Sequence, residues 1–376
     1  MDFALSPELI TLRAEALQVG RAAASRSSLT EDTWIAAPDR AFSLELAARG
    51  WLGMTWPAEV GGGGRSPLER FVVYEALLST GAPMATSWFA DRQMGPTLLQ
   101  FGTEAQQRRY LPQILDGTSA WSIGMSEPDA GSDVASIRTR AVRDGDHFVV
   151  NGQKIWTSLG HLADWCALFV RTDPDAPKHK GISCLIVDMG LPGIEARPLT
   201  TLAGDAEFAE VFFDDVRVPA SALLGPLHGG WGVATNTLSH ERAGAAQLYA
   251  RIRERLRDLV ADLRAAPGAP LEDPRTLERL GGLEVRLQYL EVLCQRAISA
   301  AAHGGDPTGQ ASLAKTVWGE LDQDIAALGD ELLGGDDPGG RWAIGRLTSR
   351  SLTIAGGTTQ VNKNITAQRV LGLPRR

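Results

Sequence analysis

Apolar positions along the chain change their spacing twice. From Ser6 to Ser119 they recur at the interval of an amphipathic helix, from about Trp121 to Leu227 they alternate as in a strand, and from Gly229 onward the helical interval returns. The expected class is therefore α+β: a helical domain over 1–120, a small β domain over 121–227 and a helical bundle over 228–376. Local signals place the elements. Ser6-Pro7-Glu8 starts a helix with a capping serine and a proline at the first helical position, and a helix over Phe42–Ala48 stops at Gly50. Further helices are expected over Ser66–Leu78, Met94–Phe101 and Glu104–Leu115. In the β segment, "WCALFVRT", "ISCLIVDM", "IEARPLTT" and "AEVFFDDVRVP" are β-branched or aromatic runs between Gly, Pro and Asp. The bundle is expected to hold helices over Gly232–Leu263, Arg275–Ala302, Thr308–Leu333 and Ser349–Val370.

Between Ile123 and Ser158 the pattern is least generic. Ser126 to Asp133 form a polar turn whose amides and hydroxyls are free to bind something, and Asp144-Gly145-Asp146 then marks a hairpin. Asn151-Gly152 predicts a second turn. Beyond it, the period of two puts Lys154, Trp156 and Ser158 on one strand face, opposite Ile155 and Thr157. An amine, an indole and a hydroxyl on one face suit a planar, polar, anionic ligand.

Composition narrows the class. A chain of 376 residues with a 44% hydrophobic share exceeds a single core and holds enough apolar material for a large pocket. No apolar run is long enough to span a bilayer, and the acidic start lacks a secretory pattern, so a cytoplasmic protein without membrane insertion is expected. A net charge of −8 argues against a nucleic-acid partner. Cys166, Cys184 and Cys294 have no metal or redox spacing, and Cys166 and Cys184 fall in apolar strands as core residues. No histidines are paired at ligand spacing, so no metal site is expected. "GMTWPAEVGGGG" lacks the Gly-Lys-Ser/Thr ending of a phosphate loop and is taken as a plain connection. Lys178, His179 and Lys180 read as a solvated basic turn, with an anion contact as the alternative.

"SEPDAGSD" followed by "NGQKIWTS" resembles the flavin-binding middle domain of the acyl-CoA dehydrogenase family. "FGTEAQQRRYLPQILDG" and the terminal "AGGTTQVNKNITAQRVLGLPRR" are similar to its segments closing the N-terminal and C-terminal domains. The resemblance covers essentially the whole chain. It implies an FAD-dependent α,β-dehydrogenation of an acyl-CoA or carrier-protein thioester, with electrons passed to an electron-transferring flavoprotein. It further implies a homo- or hetero-oligomer. By the same resemblance Met125, Ser126, Ser132, Trp156 and Ser158 hold the flavin from the middle domain, and Gly357, Thr358 and Gln360 from the C-terminal domain. Ser132 also lies near the substrate's pantetheine end. Ser158 replaces the usual threonine and keeps its hydroxyl. A flavin oxidase or monooxygenase of the same fold, and a non-catalytic partner subunit, are the alternatives.

The reaction needs a base for the α-proton, a hydride acceptor and donors to the thioester carbonyl. Short- and medium-chain members place the glutamate base just before the C-terminal Gly-Thr. Here Gly356 occupies that position, leaving only its backbone amide as a carbonyl donor. The isovaleryl and actinobacterial sterol side-chain branch carries the glutamate in a bundle helix, in a pattern like L-x-x-E-R. "LSHER" matches it, making Glu241 the expected base and Arg242 a substrate contact. Two departures touch assembly: "YARIRERLRDLV" lacks the family's Phe-Gly after its arginine, and "ELLGGDDPGG" matches its glycine turn only partly.

Overall fold

The computed structural model describes residues 4–26, 33–244, 247–268, 270–334 and 339–374. Seven helices lead: α1 (Pro7–Ala24), the single turn α2 (Thr33–Ala36), α3 (Arg40–Ala48), α4 (Pro67–Ser79), α5 (Ala85–Phe89), α6 (Gly95–Phe101) and α7 (Glu104–Leu115). Strands follow: β1 (Trp121–Gly124), β2 (Arg140–Asp144), β3 (His147–Ser158), β4 (Trp165–Arg171), β5 (Ile182–Asp188), β6 (Ile194–Leu199), β7 (Phe208–Pro219) and β8 (Leu223–Leu224). Helices return as α8 (Gly230–Gly244), α9 (Tyr249–Ala265), α10 (Pro274–Ala302), α11 (Thr308–Gly329), α12 (Arg341–Thr348) and α13 (Thr359–Arg369). Ser6 caps α1 as expected, and α4 opens on a reciprocal Ser66–Glu69 capping box. By internal contacts the chain forms two compact units: Met1–Trp34 and Ser66–Ala82 with Glu241–Arg376, and Ile35–Arg65 with Pro83–His240.

In the second unit the strands form one sheet in the order β6-β7-β3-β2-β4-β5-β8, with β1 parallel to β4. Alternate residues of β4 enter different cores. Cys166, Leu168 and Val170 join Phe148, Val150 and Val211 in one, whereas Ala167 and Phe169 join Trp56, Met94, Tyr110 and Trp121 in the other. A strand buried on both faces has no polar side, which explains the unbroken apolar run "CALFV". Cys166 and Cys184 are buried in these cores as expected. The β2–β3 hairpin also forms as expected, pairing Asp144 with His147 across a two-residue turn with Gly145 left-handed.

The second predicted turn does not form. β3 runs through Asn151-Gly152 in an irregular pairing with β7, where Val150 opposes Val216 and Gly152 opposes Phe213. Asn151 donates from its amide to Asp215 Oδ1 at 2.9 Å and accepts from the Asp215 amide at 3.0 Å, so it closes a bulge in β7. Gly152 is needed because a Cβ there would stand 2.7 Å from Thr139 Cα.

In the first unit α9, α10 and α11 bury Leu256, Leu259, Leu263, Leu283, Leu287, Leu290, Leu321 and Ile325. Two ionic clusters accompany this apolar seam. Arg255 Nη1 and Asp322 Oδ2 meet at 2.6 Å with both side chains buried, and Glu75 accepts from Arg13 and Arg253. Three expected helices differ from their prediction. The stretch Gly232–Leu263 is two helices, α8 and α9, parted around residues 245 and 246, which lie outside the described residues. Helix α11 ends at Gly329 and runs on as a π turn over Asp330–Gly334. Ser349–Val370 is a 3-10 turn over Ser349–Thr353, two glycines with φ of 68° and 89°, and α13 capped by Thr358. Consecutive left-handed residues cannot continue a helix, so Gly356-Gly357 sets the break.

Candidate active site

The loop after β1 is fixed from inside. Glu127 is 8% exposed; it accepts from the amides of Arg138 and Thr139 at 2.6 and 2.8 Å and from Lys154 Nζ at 2.8 Å. Lys154 is 0% exposed and also donates to the Met125 carbonyl at 3.1 Å. Burial pushes the Lys154 amine down to about 8, against the pull of Glu127. Burial raises the Glu127 carboxyl; Lys154 and the two amides more than reverse that and leave it below its ordinary value. The Ile155 amide donates to the Ser126 carbonyl at 3.0 Å, tying the loop to β3 a second time. Met125 and Ser126 are thereby held half-buried, and Ser132 is exposed at the loop's far end.

Lys154 and Trp156 do not share a face, contrary to the simple alternation. Lys154 opposes Val211 and Thr157 opposes Ala209, so β3 carries one residue more than β7 over that step. The bulge absorbs it at Trp156, whose φ of 58° lies in the left-handed region that a bulky side chain rarely enters. Lys154 is turned into the interior, and the Trp156 indole is presented outward at 59% exposure, edge-on to Phe208 at 5.9 Å. Strain of this kind persists where surroundings enforce it and is common at ligand sites. Ser158, half-buried, donates to Glu207 Oε1 at 3.3 Å and keeps lone pairs to accept a further bond. Lys178 of the basic turn pairs with Asp133 at 2.8 Å, and His179 packs edge-on against Trp231 at 4.5 Å. A cleft of about 650 Å³ in the same unit, lined in part by Gln113, His161 and Trp165, contains none of the expected site residues.

The first unit brings Glu241 and Gly356 together. Glu241 Oε1 lies 2.9 Å from the point where a Cβ on Gly356 would stand. Gly357 follows with its carbonyl accepting from Asn362 Nδ2 at 2.7 Å; Thr358 Oγ1 accepts from the Val361 amide at 3.2 Å, and Gln360 is exposed on the first turn of α13. Arg242 is in α8, and its side chain lies outside the described residues. The sequence reading missed Lys315 in this group. Its Cε lies 3.3 Å from the same Cβ point. One charged residue in "ASLAKTVW", otherwise small and apolar, was the available signal.

Models for the acyl-CoA dehydrogenase N-terminal, middle and C-terminal domains match residues 15–118, 122–216 and 228–371. The chain belongs to the acyl-CoA dehydrogenase family, a family of flavoproteins, and is an oxidoreductase of that class. It is 39% identical over 346 residues to acyl-CoA dehydrogenase IpdE1 of Mycobacterium tuberculosis, covering 89% of this chain and 88% of that protein. Among solved structures it is similar to the Tcur3481-Tcur3483 steroid ACAD, with a TM-score of 0.90, 34% identity and full coverage of both chains. The ChsE4-ChsE5 complex from Mycobacterium tuberculosis gives a TM-score of 0.87 at 33% identity, again over the whole of both chains. The expected family and fold class thus hold.

Proposed function

We propose that this chain performs FAD-dependent α,β-dehydrogenation of a CoA thioester with Glu241 as the base. The observation that carries this reading is the 2.9 Å between Glu241 Oε1 and the Cβ point of Gly356. A side chain growing from residue 356 and the carboxylate arriving from α8 would compete for one place. A glycine at one position and a glutamate at the other therefore leave a single carboxylate able to serve the same substrate carbon.

The residues fit FAD in kind. An outward indole on an enforced bulge suits a planar ring system, with the Ser158 hydroxyl two residues on and a loop made rigid by Glu127 and Lys154. Met125, Ser126, Ser132, Trp156, Ser158, Gly357, Thr358 and Gln360 are the residues that would hold the cofactor. FAD, when bound, would supply a two-electron acceptor for the β-hydrogen as hydride. Glu241 accepts the α-proton, and the electron pair of that C–H bond becomes the new double bond. The Gly356 amide donates to the thioester carbonyl as charge builds on it. Arg242 and Ser132 bind the CoA thioester. The steroid dehydrogenase among the similar structures supports a bulky, ring-bearing acyl group, and its paired name supports assembly with an unlike chain. An electron-transferring flavoprotein is the proposed acceptor.

The test is anaerobic bleaching of the holoenzyme's flavin by a panel of isovaleryl, long-chain and steroid-derived CoA thioesters. Glu241→Gln, nearly isosteric, should keep FAD and thioester binding while slowing bleaching by on the order of 10²- to 10⁴-fold. Near-normal bleaching would remove Glu241 from the role. Fast reoxidation of the reduced enzyme by oxygen without a carrier would favour the oxidase reading.

A further inference from the structure

Lys315 is a buried charge beside the proposed base that this mechanism leaves unused. It sits on α11 at 8% exposure, its ammonium donating to the Leu352 carbonyl in the 3-10 turn and lying 4.6 Å from the centre of the Trp318 ring. A carbonyl dipole and a ring face hold a cation in place without cancelling its charge. Its Cε stands 3.3 Å from the Gly356 Cβ point, and Glu241 Oε1 stands 2.9 Å from that same point. The Lys315 side chain, the Glu241 carboxylate and the open backbone of Gly356 therefore converge on one small volume, the methylene next to the amine being the part of Lys315 that lines it. Three charges on neighbouring helices pair with carboxylates of α11 itself: Arg255 with Asp322, Arg286 with Asp324 and Lys363 with Glu320. Arg350 of the 3-10 turn is exposed.

We propose that Lys315 is a positioning residue for the base: its anchored ammonium holds the Glu241 carboxylate turned toward the space in front of Gly356. This rests on Glu241 being the base. Burial pushes the Lys315 amine down to about 8, with Glu241 acting to raise it. The ammonium is present below that pH and lost above it. Flavin reduction should therefore fall as pH rises through about 8, when the carboxylate loses the Lys315 charge beside it. A guanidinium does not titrate in this range.

The experiment is anaerobic stopped-flow reduction of the holoenzyme by the CoA thioester that bleaches the wild type fastest, from about pH 6 to about pH 10. Lys315→Met should slow reduction at neutral pH by on the order of 10²-fold at unchanged FAD content, the scale of a misplaced reacting group. Lys315→Arg should recover most of that rate and lose the alkaline fall. A Lys315→Met rate within about twofold of wild type, or an alkaline fall that persists in Lys315→Arg, overturns the proposal. If Lys315→Met fails to hold FAD, the pH profile of Lys315→Arg decides alone. Glu241→Gln measured alongside separates the two ideas: its normal reduction rejects the base, whereas an inert Glu241→Gln with a normal Lys315→Met rejects only the role of Lys315.

Discussion

Removing Glu127 should cost more than removing any residue expected to touch the ligands. Its carboxylate answers two backbone amides and an ammonium with no exposure of its own. Breaking a buried ion pair from one side costs about 3–5 kcal/mol. Each amide left without an acceptor adds about 1–3 kcal/mol where water cannot reach it. Glu127→Ala should therefore lose about 5 kcal/mol or more, comparable with the whole stability of an ordinary domain. Urea unfolding followed by tryptophan fluorescence reads the loss, and FAD content of the purified protein reads its effect on the Met125–Ser126 loop. Glu127→Gln with Lys154→Met keeps the buried volume and one of the two acceptor oxygens while removing both charges, and should regain the part of the loss due to the broken ion pair but not that of the second amide. The pH dependence gives a second signature. The Lys154 amine sits near 8 in the folded chain against an ordinary 10.5, so the unfolded chain binds more protons between these values, and stability rises with pH across that window. Glu127, held below its ordinary 4.5, contributes stability that is present above 4.5 and lost as pH falls beneath it. The double variant should lose both contributions. A Glu127→Ala protein within about 1 kcal/mol of wild type, with FAD retained, would refute this account of the loop.

Trp156→Ala should leave folding nearly unchanged, since the ring is 59% exposed, while weakening FAD retention by on the order of 1–3 kcal/mol; equilibrium dialysis against FAD measures it, and an unchanged affinity counts against the assigned face. Trp156→Gly should be more stable to urea than Trp156→Ala by about 1 kcal/mol, because glycine accepts the φ of 58° without strain. Gly356→Ala places a Cβ at φ 68° and 2.9 Å from Glu241 Oε1, so flavin reduction should slow while the fold persists; a wild-type rate would show that the carboxylate acts from elsewhere. In a Glu241→Ala background, which vacates that place, Gly356→Glu should restore part of the reduction rate, read by the same bleaching assay.

The order of helix, sheet and helix was legible because period is a property of each segment alone, and the Asp144–His147 hairpin because its turn residues dictate its geometry. The bulge at Trp156 was not legible. A single extra residue reverses the parity of every later side chain, and nothing in "NGQKIWTS" states where the partner strand is one residue short. Lys154, ahead of that step, keeps the inward parity of Phe148 and Val150 and becomes the counter-ion of Glu127, whereas the step itself puts the indole on the outer face.

Glu241 and Gly356 were legible as a pair of substitutions, one carboxylate gained where another was lost, before anything placed them side by side. Lys315 shows what such comparison leaves out. The buried face of α11 runs through Ala311, Ala314, Trp318, Leu321 and Ile325, and it carries two charged residues, Lys315 and Asp322, two turns apart. Helical period alone puts both on the inward face, and that much the sequence states. Because a buried charge persists only when something answers it, each implies a partner from another element. The sequence cannot say which. Arg255 of α9 meets Asp322, and Glu241 of α8 is the charge that acts on Lys315, so one charge on this face is spent in a closed ion pair and the other is left beside the proposed base.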